Sequence, residues 1–283
     1  MIEIIRRGIY TSIQDAGRFN YQNIGVPISG PMDQQAFGIA NQILNNAYNT
    51  AVLECSFMGP KIKFHKNTYI SIAGAEMNTE LNGEKIKSYT PYKVNEGDIL
   101  SMGTSQYGCR TYLSISGGIK TEKVLGSRSQ FKGITSEGNI TKKVLIPIGI
   151  SDFIPKVGVS LKPINIDYEN EILEVYPGPE FKILDNTQKK ILLENIHHIS
   201  SLNNRMAFRL EEKLICKLPE IWTSPVIPGT IQCTPDGSLI IIMRDGQVTG
   251  GYPRIFQLNK RSINLLSQKT TRSPIRFKLL SKV

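Results

Sequence analysis

The chain has 283 residues, of which 40% are hydrophobic, and a formal net charge of +10 at pH 7. No apolar run approaches the roughly 18–20 residues that a membrane-spanning helix needs, and the N-terminus lacks the ordered regions of a signal peptide. We therefore expect a cytoplasmic protein with no membrane partner, folded as one large domain or two modest ones.

The first part of the chain predicts short β-strands around one helix. Apolar or alternating runs between turn residues indicate strands. The helix is predicted from about Pro31 to Asn45, with proline at its first position and Asp33 near the positive end of its dipole. The strand runs are Ile2–Ile5, Ala51–Phe57, Lys61–Phe64, Tyr69–Ala73, Ile99–Met102, Arg110–Ser116 and Val144–Ile148.

The second part repeats the order of strand, helix and strand. A helix is predicted to begin near Thr187 as its N-cap, and a shorter helix is predicted over Ser262–Gln268. The strand runs are Ile172–Tyr176, Met206–Leu210, Leu239–Met243 and Ile275–Leu280. We expect a mainly β protein of two β-rich lobes with a few short helices, divided into residues 1–165 and 166–283.

Cysteine and histidine spacing argues against a metal site or a disulfide framework. Cys55, Cys109, Cys216 and Cys233 are far apart and form no Cys-x-x-Cys pair, which disfavours structural zinc. The three histidines do not form a ligand pattern either. We expect no metal and four small, buried thiols.

The excess positive charge lies near the C-terminus. No acidic residue follows Asp245, whereas this segment carries eight basic side chains between Arg254 and Lys282. Such a segment is compatible with a solvated surface, an anionic substrate or an acidic partner. Since no nucleic-acid motif accompanies it, we expect no nucleic-acid partner.

Nucleotide and hydrolase motifs are missing from the sequence. It contains no Gly-x-x-x-x-Gly-Lys-Ser/Thr loop and no Gly-x-Gly-x-x-Gly after a strand. It also has no Gly-x-Ser-x-Gly elbow. Three other polar clusters therefore carry the functional interpretation.

The first cluster is Gln14–Arg18, which leads through the glycine-rich segment 25–33 to Asn41 and Glu54. Asp15 and Arg18 could pair locally, or Arg18 could present its planar fork to a carboxylate or phosphoryl group. The second cluster joins Ser116-Gly117-Gly118-Ile119 to Leu125–Ser129. Small residues that flank an arginine are typical of an anion-binding loop.

The third cluster joins residues 204–211 to two glycine-rich turns, 229–237 and 245–253, which bracket an apolar strand. Ordinary hairpin turns would explain this pattern. Alternatively, the glycines allow the backbone to approach a ligand closely, and loops on a rigid scaffold often carry function.

In combination, the clusters resemble a known family. The motifs that carry the resemblance are Asp15-Ala16-Gly17-Arg18, Gly25-Val26-Pro27-x-Ser29-Gly30-x-Met32-Asp33, Ala40-Asn41, Leu53-Glu54, Leu125-Gly126-Ser127-Arg128-Ser129, Arg205-Met206-x-x-Arg209-Leu210-Glu211, Gly229-Thr230-Ile231-Gln232 and Gln247-x-Thr249-Gly250-Gly251-Tyr252-Pro253. In this order they resemble the C subunit of bacterial 5-oxoprolinase, a family that overlaps with biotin-dependent carboxyltransferases and allophanate hydrolase subunit 2. The resemblance extends over nearly the whole chain.

The resemblance implies two cyclophilin-like β-barrel lobes with an active cleft between them. It implies ATP-dependent hydrolysis of 5-oxo-L-proline to L-glutamate, performed together with 5-oxoprolinase subunits A and B. Because no phosphate loop occurs here, ATP is expected to be bound by a partner subunit or shared with it. Two alternatives stay open: a biotin-dependent carboxyltransferase that acts on a urea-like substrate, and a regulatory protein that antagonises a kinase inhibitor.

On this interpretation the candidate residues fall into two groups, although any of the arginines could instead form a structural ion pair. The expected catalytic residues are Asp15, Arg18, Glu54, Arg205, Gln232 and Asp245. The expected substrate-binding residues are Asn41, Ser127, Arg128, Arg209, Gln247, Thr249 and Tyr252.

Overall fold

A computed structural model describes residues 1–141, 143–152, 154–155, 167–215 and 218–280. The predicted boundary at residue 165, Cys216 and Lys282 lie outside these ranges. The chain packs as two compact units. The first comprises Met1–Phe19 and Ser29–Tyr168, and the second comprises Asn20–Ile28 and Glu169–Val283. The division predicted at residue 165 stays a prediction.

The described residues of the first unit form two β-sheets and one helix. Its elements are β1 (Ile2–Arg6), β2 (Tyr10–Gln14), α1 (Gln34–Ile43), β3 (Val52–Ser56), β4 (Lys61–Phe64), β5 (Thr68–Glu76), β6 (Glu80–Leu81), β7 (Glu84–Lys85), β8 (Tyr92–Val94), β9 (Ile99–Ser101), β10 (Tyr107–Ile115) and β11 (Val144–Ile146). One sheet has the order β11-β1-β4-β9-β6-β7, and the other has the order β2-β3-β10-β5-β8.

The main core of this unit lies between the two sheets. Ile4 and Phe64 of the first sheet and Leu53 and Leu113 of the second belong to one buried apolar cluster. Because side chains alternate along a strand, the next residues of the five-stranded sheet face the other way. There Ala36 and Phe37 of α1 pack in a second, smaller buried cluster.

The second unit is built around a closed seven-stranded barrel. Its elements are β12 (Ile172–Pro177), α2 (Asn186–Glu194), β13 (His197–Asn203), β14 (Ala207–Lys213), β15 (Ser224–Pro225), β16 (Thr230–Cys233), β17 (Ser238–Ile242), β18 (Thr249–Gly250), β19 (Arg254–Leu258), α3 (Lys260–Ser267) and β20 (Pro274–Leu279). The barrel order is β12-β19-β16-β17-β14-β13-β20, closed by a parallel pairing of β20 with β12.

The predicted mainly β fold with a few short helices is confirmed and is consistent with cyclophilin-like lobes. The apolar strand runs all coincide with observed strands. Two short 3-10 helices also occur, at Gln22–Ile24 and Phe181–Ile183. Among the described residues, no helix combines the length and the apolar character that a membrane crossing requires.

The helix starts differ from the predicted ones because other residues provide the caps. Asp33, rather than Pro31, precedes the first turn of α1 and accepts bonds from the backbone N–H groups of residues 35 and 36. Asp185, rather than Thr187, caps α2 and forms a capping box with Gln188. Asn259 caps α3, which therefore begins before Ser262.

The Asp33 cap generates a stability prediction. Asp33→Ala leaves two N–H groups at the start of α1 without their acceptor, which destabilises such a helix end by about 1–2 kcal/mol. We expect faster hydrogen–deuterium exchange in peptides that cover residues 34–43, and restored protection in Asp33→Ser. Asp185→Ala, which removes the exposed cap of α2, is the matched control and should leave exchange in α1 unchanged. Equal protection in Asp33→Ala and the unmodified protein would contradict this role.

Candidate functional site

In the first unit, the carboxylate of Asp15 organises the loop of residues 127–129. One oxygen accepts hydrogen bonds from the hydroxyls of Ser127 (2.5 Å) and Ser129 (2.8 Å) and from the backbone N–H of Gly17 (3.1 Å). The other accepts from the backbone N–H of Arg128 at 2.6 Å. The Asp15 side chain is only 5% exposed. The four hydrogen bonds that it accepts stabilise its charged carboxylate in this buried position. This arrangement positions the loop.

The same loop is held from the other side by Arg18. Its side chain is fully buried. The guanidinium donates to the backbone carbonyls of Val124 (3.1 Å) and Ser129 (2.7 Å) and to the hydroxyl of Ser29 (3.5 Å). A guanidinium that donates to backbone carbonyls fixes the polypeptide around it, and the catalytic function expected of Arg18 stays a prediction.

Arg128 differs from Arg18 in its side chain. Its backbone is fixed through Asp15, whereas its buried Nε atom has no hydrogen-bond partner among the described residues. A partly buried guanidinium whose donors are not used is suited to a carboxylate or phosphoryl group. Of the predicted residues in this unit, Arg128 has the geometry best suited to ligand binding.

Glu54 lies on the face of the five-stranded sheet that packs against α1, and it is fully buried. Register places it opposite Ser12 on β2 and Tyr112 on β10. Its Oε2 accepts from the Tyr112 hydroxyl and from the backbone N–H of Met32, both at 2.8 Å. Burial and the neighbouring carboxylates of Glu54 and Asp33 raise the pKa of Tyr112 well above its usual value. Tyr112 therefore remains a proton donor, and the pair ties the segment before α1 to the sheet.

Asn41 lies on α1 and is also fully buried. Its side-chain NH₂ donates to the Thr50 carbonyl at 2.9 Å, and its oxygen accepts from Ser114 at 2.7 Å. Both ends of the amide thus bond to the protein itself. The substrate-binding function expected of Asn41 stays a prediction.

In the second unit, the barrel strands separate an apolar face from a polar one. Phe208, Ile241 and Ile231 are cross-strand neighbours on β14, β17 and β16, and all three are buried. The next residue in each strand points to the opposite face. Arg209, Ile240 and Gln232, which follow those three residues or precede them in their strands, therefore lie side by side on the outer face.

Gln232 is the centre of a small amide cluster on this face. It is fully buried, donates to the Tyr252 carbonyl at 3.2 Å and accepts from the Gln247 side chain at 3.5 Å. Gly250 lies against it, since a Cβ at this position would come within 2.6 Å of Gln232 Nε2. Glycine therefore allows the loop of residues 247–252 to cover Gln232. Thr249 lies in β18, exposed.

Arg209 provides a cation on this face that the described residues do not pair. It is partly exposed and forms no hydrogen bond or ion pair with the residues that the structure describes. Arg205, in contrast, binds the Asp245 carboxylate in a bidentate pair, with Nε–Oδ2 at 2.7 Å and a second bond at 3.1 Å. Both members of that pair are buried. Arg205 and Asp245 thus form a buried ion pair, and the catalytic function expected of them stays a prediction. Arg209, in contrast, is available to a ligand.

Thiol chemistry is disfavoured in the described part of the chain. Cys55, Cys109 and Cys233 are buried. Burial raises the pKa of Cys55 to about 12 and also raises the pKa of Cys109. A thiolate is the nucleophilic form, so these two residues stay unreactive near neutral pH. Within the ranges that the structure describes, no group of three or more His, Cys, Asp or Glu side chains could hold a metal ion.

Two contributors to these clusters escaped the sequence interpretation. Tyr112, which donates to Glu54, lies in a run that predicts only a strand. Arg254, beside Gln232 in the register, is held by Glu180 through two bonds of 2.9 Å. The Arg254 guanidinium lowers the pKa of Glu180. A single sequence does not specify strand register. Finding Tyr112 or Arg254 as a member of these clusters would have required that register.

Comparison with known proteins places the chain in one family. Residues 24–279 match the family described as carboxyltransferase domain, subdomain A and B. The chain is 29% identical to the C subunit of 5-oxoprolinase from Escherichia coli (strain K12), over 98% of this chain and 90% of that protein. It is 28% identical to the protein of the same name in Haemophilus influenzae (strain ATCC 51907 / DSM 11121 / KW20 / Rd), over 99% and 92%.

Larger proteins contain related segments. The chain is 47% identical to the urea amidolyase of Saccharomyces cerevisiae (strain ATCC 204508 / S288c), over 46% of this chain and 7% of that protein. The crystal structure of the K. lactis urea amidolyase is similar with a TM-score of 0.84 and 27% identity, over 99% of this chain and 19% of that one. The crystal structure of TTHA0988 (TM-score 0.87, 24% identity, 98% of this chain and 55% of that one) supports the fold. The chain belongs to the carboxyltransferase domain family, subdomains A and B.

Proposed function

We propose that this chain is one component of an ATP-dependent 5-oxoprolinase complex that hydrolyses 5-oxo-L-proline to L-glutamate. The observation that carries the proposal is the similarity to the C subunits of two 5-oxoprolinases along almost the whole length of all three chains. The partners on this proposal are subunits A and B. ATP is bound by a partner or at a shared surface, because the sequence has no phosphate loop.

The available side chains match the groups of this substrate. 5-Oxoproline carries a carboxylate and a lactam with one C=O and one N–H. Arg128 and Arg209, whose guanidinium groups the structure leaves without described partners, are the candidates for the carboxylate. The exposed amide of Gln247, which bonds to the buried Gln232, provides a donor and an acceptor for a lactam.

The reaction needs activation of a resonance-stabilised amide. On this proposal, ATP phosphorylates the lactam oxygen and leaves as ADP, which makes the ring carbon more electrophilic. A first water adds to this carbon, the C–N bond breaks, and the nitrogen takes up a proton to become the amine of glutamate. The acyl phosphate that results is hydrolysed by a second water to the side-chain carboxylate and inorganic phosphate. Fixed donors near the reacting carbonyl would stabilise the negative charge that develops. Asp15, Arg18 and Glu54 contribute by holding the polypeptide around the site.

A second function is favoured by a separate observation. The local identity to urea amidolyase is higher than the full-length identity to the 5-oxoprolinase subunits. This chain could therefore transfer a carboxyl group from biotin to a urea-like substrate, with the biotin carrier and the carboxylase supplied by other chains. We rank it second because that similarity spans less than half of this chain.

The proposal is tested by reconstitution with subunits A and B. We expect ATP-dependent release of glutamate from 5-oxoproline that requires this chain, with the mixture lacking it as the control. A parallel reaction with urea and carboxybiotin tests the second function. Glutamate release that is unchanged by omitting this chain, or carboxylation of urea instead, would overturn the first.

Arg209→Gln tests the carboxylate contact in the reconstituted enzyme. A hydrogen bond to a charged group contributes about 1.5–3 kcal/mol, so the KM for 5-oxoproline should rise about 10- to 100-fold. The matched control is Arg261→Gln, which removes an exposed arginine from α3 and should leave KM unchanged. If only Arg128→Gln raises KM, the carboxylate contact belongs to Arg128.

Arg205→Ala is expected to act on stability first. It leaves Asp245 buried without its bidentate partner, which typically destabilises a protein by about 3–5 kcal/mol. Lower activity of this variant therefore would not identify a catalytic residue. The double variant Arg205→Met/Asp245→Leu removes both charges and should recover most of the lost stability in urea denaturation. If the single variant unfolds at the same urea concentration as the unmodified protein, the pair is not structural.

A further inference from the structure

A pocket in the first unit lies among residues that the proposed function does not use. It has a volume of about 320 Å³ and forms where the turn after β4 meets the start of β5. Its lining includes Lys66, Tyr69, Lys93, Ser116 and Ile150. Two ammonium groups beside a hydroxyl indicate a site for an anion.

Strand pairing brings three of these residues together. Lys93 on β8 is the cross-strand partner of Tyr69 on β5. On the other side of Tyr69, the backbone N–H of Ser116 donates to its carbonyl at 2.9 Å. Directly opposed residues of adjacent strands share a face of the sheet. The sheet thus fixes a lysine, a tyrosine and a serine side by side as the floor of the pocket.

The wall of the pocket is held by Lys66. Its ammonium donates to the carbonyls of Ile148 (3.2 Å) and Gly149 (2.7 Å), and an ammonium has a third donor. The segment 149–151 comes close to Gly117, where a Cβ would lie 2.7 Å from the Ile150 carbonyl oxygen. The positive φ of Gly117, 76°, also favours glycine. This wall is therefore built by specific contacts.

The hydroxyl of Ser116 points to a ligand independently of the lysines. Ser116 is 4% exposed, and its Oγ atom is buried without a hydrogen-bond partner among the described residues. Buried hydroxyls are nearly always paired, because an unpaired one loses its bonds to water. A ligand oxygen in the pocket would supply the missing partner.

Lys93 provides an ammonium group that is not already bonded within the protein, in contrast to Lys66. It is exposed and forms no hydrogen bond or ion pair with the described residues. Lysine binds phosphoryl groups as a point charge, and two lysines match a dianion. We propose that this pocket binds a phosphoryl group through Lys93, Lys66 and the Ser116 hydroxyl. The ligand is inorganic phosphate or the phosphomonoester of a small molecule, and the proposal does not depend on the 5-oxoprolinase activity.

The test is isothermal titration of the full chain with inorganic phosphate and, separately, with glycerol phosphate. We expect binding that Lys93→Met and Ser116→Ala each weaken about 10-fold or more, since a hydrogen bond to a charged group has that effect. Lys123→Met, at an exposed lysine outside the pocket, is the matched control and should bind like the unmodified chain. Binding of only the ester would identify an organic phosphate as the ligand.

Thermal unfolding without ligand separates a binding function of Ser116 from a structural one. Ser116→Ala removes an unpaired buried hydroxyl, so its melting temperature without ligand should equal or exceed that of the unmodified chain, while the rise caused by phosphate should become smaller. A lower melting temperature with undiminished phosphate affinity would assign the hydroxyl to the fold and overturn its function. The site as a whole is refuted if neither ligand binds at millimolar concentration, or if Lys93→Met binds both as well as Lys123→Met does.

Discussion

The carboxylate of Asp15 is the interaction on which the candidate site of the first unit depends. A buried charge is tolerated only when donors surround it, and here the donors come from two stretches far apart in the sequence. Since the bonds to Ser127, Arg128 and Ser129 fix the backbone of that loop, they also determine where the Arg128 guanidinium can lie. Arg18 adds to this order by binding the same loop through its carbonyls.

Both units use charged and polar side chains in two distinct ways. Charges whose bonds are satisfied within the protein, as in the Arg205–Asp245 pair, stabilise local structure and are sensitive to removal of one partner. Charges without a described partner, as on Arg209, remain available to a ligand at the surface. This distinction cannot be made from residue type, because an arginine in a motif looks the same in either situation.

Each apolar run that predicted a strand coincides with one, because apolar alternation depends on local order alone, but strands such as β2, β13 and β19 were not predicted. Helix starts were less accurate, because Asp33, Asp185 and Asn259 competed with other residues that can begin a helix. For the candidate site, the motifs named its segments, and the functions expected of their residues stay predictions. The burial of Asn41 and the partners of Glu54 depend on which strands become neighbours, and strand register comes from contacts between distant residues.

The closed barrel of the second unit contains an odd number of strands, so its ring cannot consist of antiparallel pairs alone. The single parallel pair joins its first strand, β12, to its last, β20. While the chain is being synthesised, β12 emerges long before β20 does. Until residues 274–279 are available, the growing barrel keeps two open strand edges, which can pair with other chains. Completion of this unit therefore has to wait until translation has passed its final strand, and the incomplete polypeptide is the form most exposed to aggregation.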